Sequence, residues 1–191
     1  MRTISQELMT IQVKKHRSIY LSLGTNLGNR EENLQRALAG LEDMMQIEKI
    51  SAVYETPPWG PVQDQASFFN LCASGTTQLE PLDFLDAVKE LEKTIGRLDG
   101  LRWGPRLIDI DLLFYEDVEL VTERLIIPHK EVTGRAFVLV PLADIAPNLM
   151  HPSLGETIQT LMNKLTQEEI GSVVKTFTVD STNYDSIKPD A

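Results

Sequence analysis

Apolar residues fall along this chain in two rhythms, alternate positions and every third or fourth position, and the two rhythms take turns. Residues 19–23 read as a short strand broken by Gly24. Asn29 then suits a helix N-cap with Glu32 at N3, and Leu34, Ala37, Leu38 and Leu41 recur at helical spacing behind it. A strand is predicted around 47–54, and a loop rich in proline and glycine follows. Residues 68–77 return as a strand, antiparallel to its predecessor if that loop is a hairpin connection. Pro81 fits N1 of a second helix whose predicted buried stripe is Leu82, Leu85, Val88, Leu91 and Ile95, ending near Gly96. Residues 107–115 read as a fourth long strand.

The order β-α-β-β-α-β predicts an α+β fold with a ferredoxin-like core. In that fold a four-stranded antiparallel sheet carries both helices on one face and leaves the other open to ligands or added elements. Further helical pieces are predicted near 131–140 and 156–165, packed at the sheet margin, and a strand near 173–179. A strand-like piece at 11–13 lies in a polar N-terminal stretch. The expected organisation is an extension over 1–18, one domain over 19–168 and a tail over 169–191.

A length of 191 residues suits one domain with a substantial core. The net charge of −10 argues against a nucleic-acid binder, which needs a broad basic surface, but not against one nucleotide held by local arginines and metal. Cys72 is the single cysteine, so no internal disulfide can form and a reducing, cytoplasmic setting is expected. No apolar run approaches the ~18 residues of a membrane span. The N-terminus lacks the apolar stretch of a signal peptide. A monomer is expected.

The chemistry concentrates in Arg102-Trp103-Gly104-Pro105-Arg106-Leu107-Ile108-Asp109-Ile110-Asp111. On a strand, Asp109 and Asp111 share one face about 7 Å apart, with Ile108, Ile110 and Leu112 on the other. Two like charges on an otherwise apolar strand call for a cation between them. Mg²⁺ is suited, since it takes one or two carboxylates and completes its shell with water and phosphate oxygens. Arg106, after the Gly104-Pro105 turn, offers a fork that pairs two phosphate oxygens. A solvated D-x-D face is the plainer alternative. Two long loops, 56–66 and 97–106, carry both tryptophans, either covering a ligand or packing on themselves.

Taken in order, Gly24-Thr25-Asn26-Leu27, Thr56-Pro57-Pro58-Trp59-Gly60-Pro61, Phe69-Asn70, the 102–111 segment and Pro128-His129 resemble the 6-hydroxymethyl-7,8-dihydropterin pyrophosphokinase family over roughly 18–165. The Gly24 segment is no Walker A loop, because the Gly-Lys-Ser/Thr ending is absent. The resemblance implies transfer of pyrophosphate from ATP, as co-substrate, to a reduced pterin in folate biosynthesis. It implies two Mg²⁺ ions on Asp109 and Asp111, with Arg97 and Arg106 acting on the phosphates. It places Glu92, Arg102, Trp103, Arg106, Arg124, His129 and Arg135 at the nucleotide. For the pterin it implies Thr56, Pro57, Trp59, Phe68, Asn70, Trp103 and Phe137. By pattern alone Glu92 would be a solvated helix residue, Phe137 core and His129 a loop residue.

The chain departs from the family pattern at several points. Trp59 and Phe68 stand where Leu and Tyr are usual, Lys130 where an aromatic is common, and Asp99 where a basic residue is common. The 97–103 loop is about one residue short. The alternatives are a non-catalytic ferredoxin-like ligand sensor, a metal-dependent phosphohydrolase, and an RNA-recognition module whose strand aromatics are missing here.

Overall fold

Six antiparallel strands form the main sheet in a computed structural model that describes residues 15–97 and 103–179. Strand β1 (Arg17–Thr25) leads through helix α1 (Arg30–Leu41) to β2 (Gln46–Ile50) and β3 (Ala52–Thr56). Then come β4 (Phe68–Thr77), α2 (Pro81–Ile95) and β5 (Asp109–Tyr115). Beyond them lie a hairpin of β6 (Leu120–Val121) and β7 (Ile126–Ile127), a 3₁₀ turn at Val132–Gly134, and α3 (Ala136–Ile145). A second hairpin, β8 (Met150–His151) and β9 (Glu156–Thr157), precedes α4 (Ile158–Met162), α5 (Gln167–Gly171) and β10 (Val174–Thr178). The expected strand piece at 11–13 lies outside the described residues.

The strands run β10-β3-β4-β1-β5, with β2 on the remaining half of β4. The sheet thus exceeds the four strands expected, for two reasons. The predicted strand 47–54 is split at Ser51, whose side chain enters the ladder: the Cys72 N–H donates to Ser51 Oγ at 2.9 Å while the Ser51 N–H donates to the Cys72 carbonyl. The C-terminal strand β10, expected as part of a tail, pairs with β3 instead. Gly24 does not end β1, which continues to Thr25.

Helix α1 starts as its sequence requires, with the Glu32 N–H donating to Asn29 Oδ1. Helix α2 opens on Pro81 and closes on Gly96 at φ 112°, a left-handed cap that glycine adopts without Cβ strain. The predicted stripe holds at Val88 and Ile95, which are buried, and at Leu85 and Leu91, which pack against the core, but Leu82 is exposed; Phe84 and the acid Glu92, outside that stripe, are buried beside it.

Both helices pack on one face, where Leu34, Leu38, Phe84 and Val88 meet Leu21, Leu23, Ile110 and Leu112. The other face is not left open, nor do the later helices sit at its margin. Val138, Leu139 and Leu142 of α3, with Ile158 and Leu161 of α4, cover Cys72, Leu113 and Phe114. A register shift between Tyr20 and Leu21 against β5 makes this possible. It puts Leu112 in the first core and the adjacent Leu113 and Phe114 in the second. The roof is partial: the end of this face nearest Gly24, Asn70 and Asp109 lines a cleft. No helix among the described residues is long and apolar enough to cross a membrane.

Candidate active site

Strand pairing alone sets out the floor of the cleft. Gly24 on β1 sits opposite Asn70 on β4 and Asp109 on β5; one step along, Ser22 sits opposite Cys72 and Asp111. Asn70 and Asp109 are therefore two strand spacings apart, about 10 Å, with glycine between them. A Cβ on Gly24 would stand 3.0 Å from Asn70 Oδ1, so a larger residue would press that amide aside by a few tenths of an ångström. Asn70 is buried and donates from Nδ2 to Thr56 Oγ1 at 2.7 Å, which orients its head within the cleft. The cleft holds about 360 Å³.

Asp109 and Asp111 both line it, each side chain about one-third exposed. Arg97 Nη1 donates to Asp109 Oδ1 at 2.7 Å. Asp111 lies 3.8 Å from Arg135 Nη1 and 4.0 Å from His129 Nε2. Burial first, and the Asp109 charge second, raise the Asp111 pKa above the usual carboxylate value. Burial lowers that of His129, partly offset by Asp111. Among the described residues no group of three or more His, Cys, Asp or Glu side chains could hold a metal. A cation bound here would take two carboxylates and fill its shell from water or a ligand. That donor set fits Mg²⁺ and not a closed structural site.

Below the two aspartates Glu92 is 1% exposed and fully engaged. It accepts from the Ile110 N–H at 2.7 Å and from Lys89 Nζ at 2.9 Å, and pairs with Arg97 Nη1 at 2.5 Å. Burial still pushes its carboxyl pKa up, more than Lys89 and Arg97 pull it down. The acid therefore ties α2 to the aspartate-bearing strand β5 from underneath and does not itself line the cleft.

The two tryptophan loops meet over the opposite end. Trp59 and Trp103 ring centroids are 5.2 Å apart, Trp59 and Phe137 6.2 Å, and the Arg135 guanidinium lies 4.9 Å from the centre of the Trp59 ring. Gln65 binds the loops together, accepting from Asn26 Nδ2 and donating to the Trp103 carbonyl at 2.9 Å. The Arg106 N–H donates to Asn26 Oδ1 at 2.7 Å, fixing the backbone from which its side chain reaches the cleft.

The cleft thus gathers Arg97, Trp103, Arg106, Asp109, Asp111, His129 and Arg135 with Thr56, Pro57, Trp59, Phe68, Asn70 and Phe137. Arg124 is not part of the lining; it is exposed and paired with Asp86. Arg102 and Asp99 lie outside the described residues. Sequence reasoning missed Lys89, Ser22 and the floor role of Gly24. Lys89 could have been found, since it lies three residues before Glu92 on one helix face; Ser22 shows no signal without the strand register.

The sequence matches the profile of the family described as 7,8-dihydro-6-hydroxymethylpterin-pyrophosphokinase over residues 20–147. It is 42% identical over 135 residues to the 2-amino-4-hydroxy-6-hydroxymethyldihydropteridine pyrophosphokinase of Aquifex aeolicus, covering 71% of this chain and 84% of that one. Against the protein of the same name from Methylorubrum extorquens the identity is 44% over 148 residues, 76% of this chain and 92% of that one. The fold is similar to the wild-type Plasmodium falciparum HPPK-DHPS crystal structure with SDX-DHP, at a TM-score of 0.65 and 23% identity. That match covers 83% of this chain and 46% of the Plasmodium chain, so the present chain spans under half of that protein. On the profile match and these identities, the chain belongs to the 7,8-dihydro-6-hydroxymethylpterin-pyrophosphokinase family.

Proposed function

We propose that this cleft transfers the β,γ-pyrophosphoryl group of ATP to the hydroxymethyl oxygen of 6-hydroxymethyl-7,8-dihydropterin, the pyrophosphokinase step of folate biosynthesis. The alcohol oxygen bonds to the β-phosphorus as the bridge to the α-phosphorus breaks. AMP departs with the bridging oxygen, and the alcohol proton ends in solvent. The observation that supports this reading is the row Asn70–Gly24–Asp109, in which an amide and a carboxylate stand about 10 Å apart across a glycine floor.

Asn70 and Thr56 read the edge of the pterin, and Phe68, Phe137, Trp103, Trp59 and Pro57 bound its faces. Its substituent then extends over Gly24 toward Asp109. Asp109 and Asp111 would hold two Mg²⁺ ions, which supply positive charge to the phosphate oxygens as the transferred group moves. Arg97, Arg106, Arg135 and His129 orient the triphosphate, and Lys89 adds a cation on the rigid helix α2. Glu92 steadies Arg97 and Lys89 from below. Arg102 and Arg124 are nucleotide contacts by family position, and Arg124 would have to leave Asp86 to serve. With no side chain among the described residues placed as a strong general base, positioning and electrostatics carry the rate.

The frame from β1 to β5 is read as a ferredoxin-like core within a catalytic unit of 19–168, acting as a monomer in the cytoplasm. The experiment is to incubate the protein with MgATP and follow nucleotides chromatographically. AMP and a diphosphorylated pterin should form only when the pterin alcohol is supplied. Release of inorganic phosphate or pyrophosphate without pterin would make it a hydrolase instead.

A further inference from the structure

The loop between β3 and β4 hangs from a short ladder. Three residue pairs join the two strands: Tyr54 with Asn70, Glu55 with Phe69, and Thr56 with Phe68. Thr56, Phe68 and Asn70 line the cleft, and residues 57–67 make the loop between them. The last pairs of such a ladder open at little cost, because no further pairing lies beyond them.

Arg30 meets this end of the ladder from outside the cleft lining, its side chain about one-quarter exposed. Its Nη1 donates to Glu55 Oε1 and to the Ser67 carbonyl, each at 2.7 Å. One guanidinium thus grips both ends of the loop, at the residue before Thr56 and at the residue before Phe68. Its central carbon lies 3.7 Å from the centre of the Phe69 ring. The strand pleat turns Phe69 to the side opposite Phe68 and Asn70, so the arginine braces the underside of that strand. There Phe177 of β10 backs the same ring, with centroids 5.5 Å apart at 76°. Helix α1 itself gains nothing from this cation. Arg30 is its first residue, where the helix dipole favours acids such as Glu31 and Glu32.

We infer that Arg30 is a positioning residue for the pterin, a staple across the ends of the 57–67 loop that keeps Thr56, Phe68 and Asn70 in register. This deepens the pterin assignment above and rests on it. When part of a protein is in a form that cannot bind, its apparent affinity falls in proportion to the competent fraction. Loss of the staple lowers that fraction in the free protein, while saturating pterin restores the closed ladder. The effect therefore falls on pterin affinity and spares both turnover and the nucleotide.

The test is calorimetric titration of 6-hydroxymethylpterin into protein saturated with Mg²⁺ and a non-hydrolysable ATP analogue, with steady-state rates on the dihydropterin alongside. Arg30→Ala should weaken pterin binding, and raise the pterin KM, by about threefold to tenfold, the equivalent of one net hydrogen bond. Turnover at saturating pterin and the KM for MgATP should each stay within about twofold of wild type. Glu55→Ala cuts one end of the staple and should weaken pterin binding by about twofold to threefold, which reads the inference even if Arg30→Ala fails to fold. The double variant should bind pterin as Arg30→Ala does, because both changes open the same contact. Three results would each overturn the inference: an Arg30→Ala protein that melts earlier yet binds pterin like wild type, equal losses for nucleotide and pterin, or additive losses in the double variant. If wild type binds the nucleotide analogue but no pterin, the pterin assignment itself falls.

Discussion

Replacing Asp111 with asparagine should make the protein more stable and nearly inactive at once. The side chain is one-third exposed and sits two residues from Asp109 on the same strand face, about 7 Å away. Coulomb's law gives roughly 2 kcal/mol of repulsion at an effective dielectric of ~20 and about 0.6 kcal/mol in water. Exposure places the value near the middle, about 1 kcal/mol. Attraction to Arg135 at 3.8 Å and His129 at 4.0 Å opposes it. Because the Asp111 pKa is nevertheless raised, burial and repulsion together exceed that attraction. The sign follows: a carboxyl whose folded pKa is raised stabilises the fold in its protonated form, and that contribution is lost as pH rises through the folded pKa. Asparagine mimics the protonated form. At pH 7.5 in EDTA, Asp111→Asn should gain about 0.5–1 kcal/mol, a rise in Tm of about 1–3 °C. AMP formation in saturating MgATP and pterin should fall at least about a hundredfold, as when a charge-stabilising contact is removed from a transition state. Urea melts with an unchanged slope, read beside initial rates, separate the two effects. A variant destabilised by more than about 1 kcal/mol would show that Asp111 is a structural acid, as would one keeping a tenth of its activity.

Two further perturbations test the scaffold. Gly75→Ala would place a Cβ 2.0 Å from the Gln46 carbonyl oxygen, so the β2–β4 pairing must spread; a loss of about 3 kcal/mol or more is expected in urea melts, and a loss under 1 kcal/mol would refute that packing. Burial, helped by Asp144, pushes the Tyr54 hydroxyl up to about 12, so its contribution is full below pH 10 and is lost as pH rises toward 12. Relative to Tyr54→Phe, wild type should therefore lose about 1.4 kcal/mol between pH 9 and pH 11, and parallel stability profiles would contradict it.

The long elements were legible because they obey one period over many residues. Helix α1 could be placed from Asn29 to Leu41, and the aspartate strand from its apolar run. Features set by partners distant in sequence were hidden. Ser51 interrupts a strand because its hydroxyl meets Cys72, 21 residues on. Glu92 lies inward because Arg97 and the Ile110 N–H meet it there, and nothing in helical spacing announces them. In the cleft, Asp109, Asp111 and Arg106 were marked by their own chemistry, whereas Ser22 and Gly24 matter only through the strands beside them. The aromatic residues were named by resemblance, but their mutual contact needed coordinates.

The buried Glu92 has a consequence for how this cleft can be altered. Because one carboxylate serves Lys89, Arg97 and a strand amide together, none of the three side chains can be exchanged independently. Neutralising Arg97 alone leaves the buried Glu92 with Lys89 as its one cation in contact, and neutralising Glu92 alone leaves Lys89 without its acid and Arg97 with Asp109 only. Tolerated changes must therefore arrive in compensating pairs. A library that randomises these positions one at a time would mistake this interdependence for indispensability.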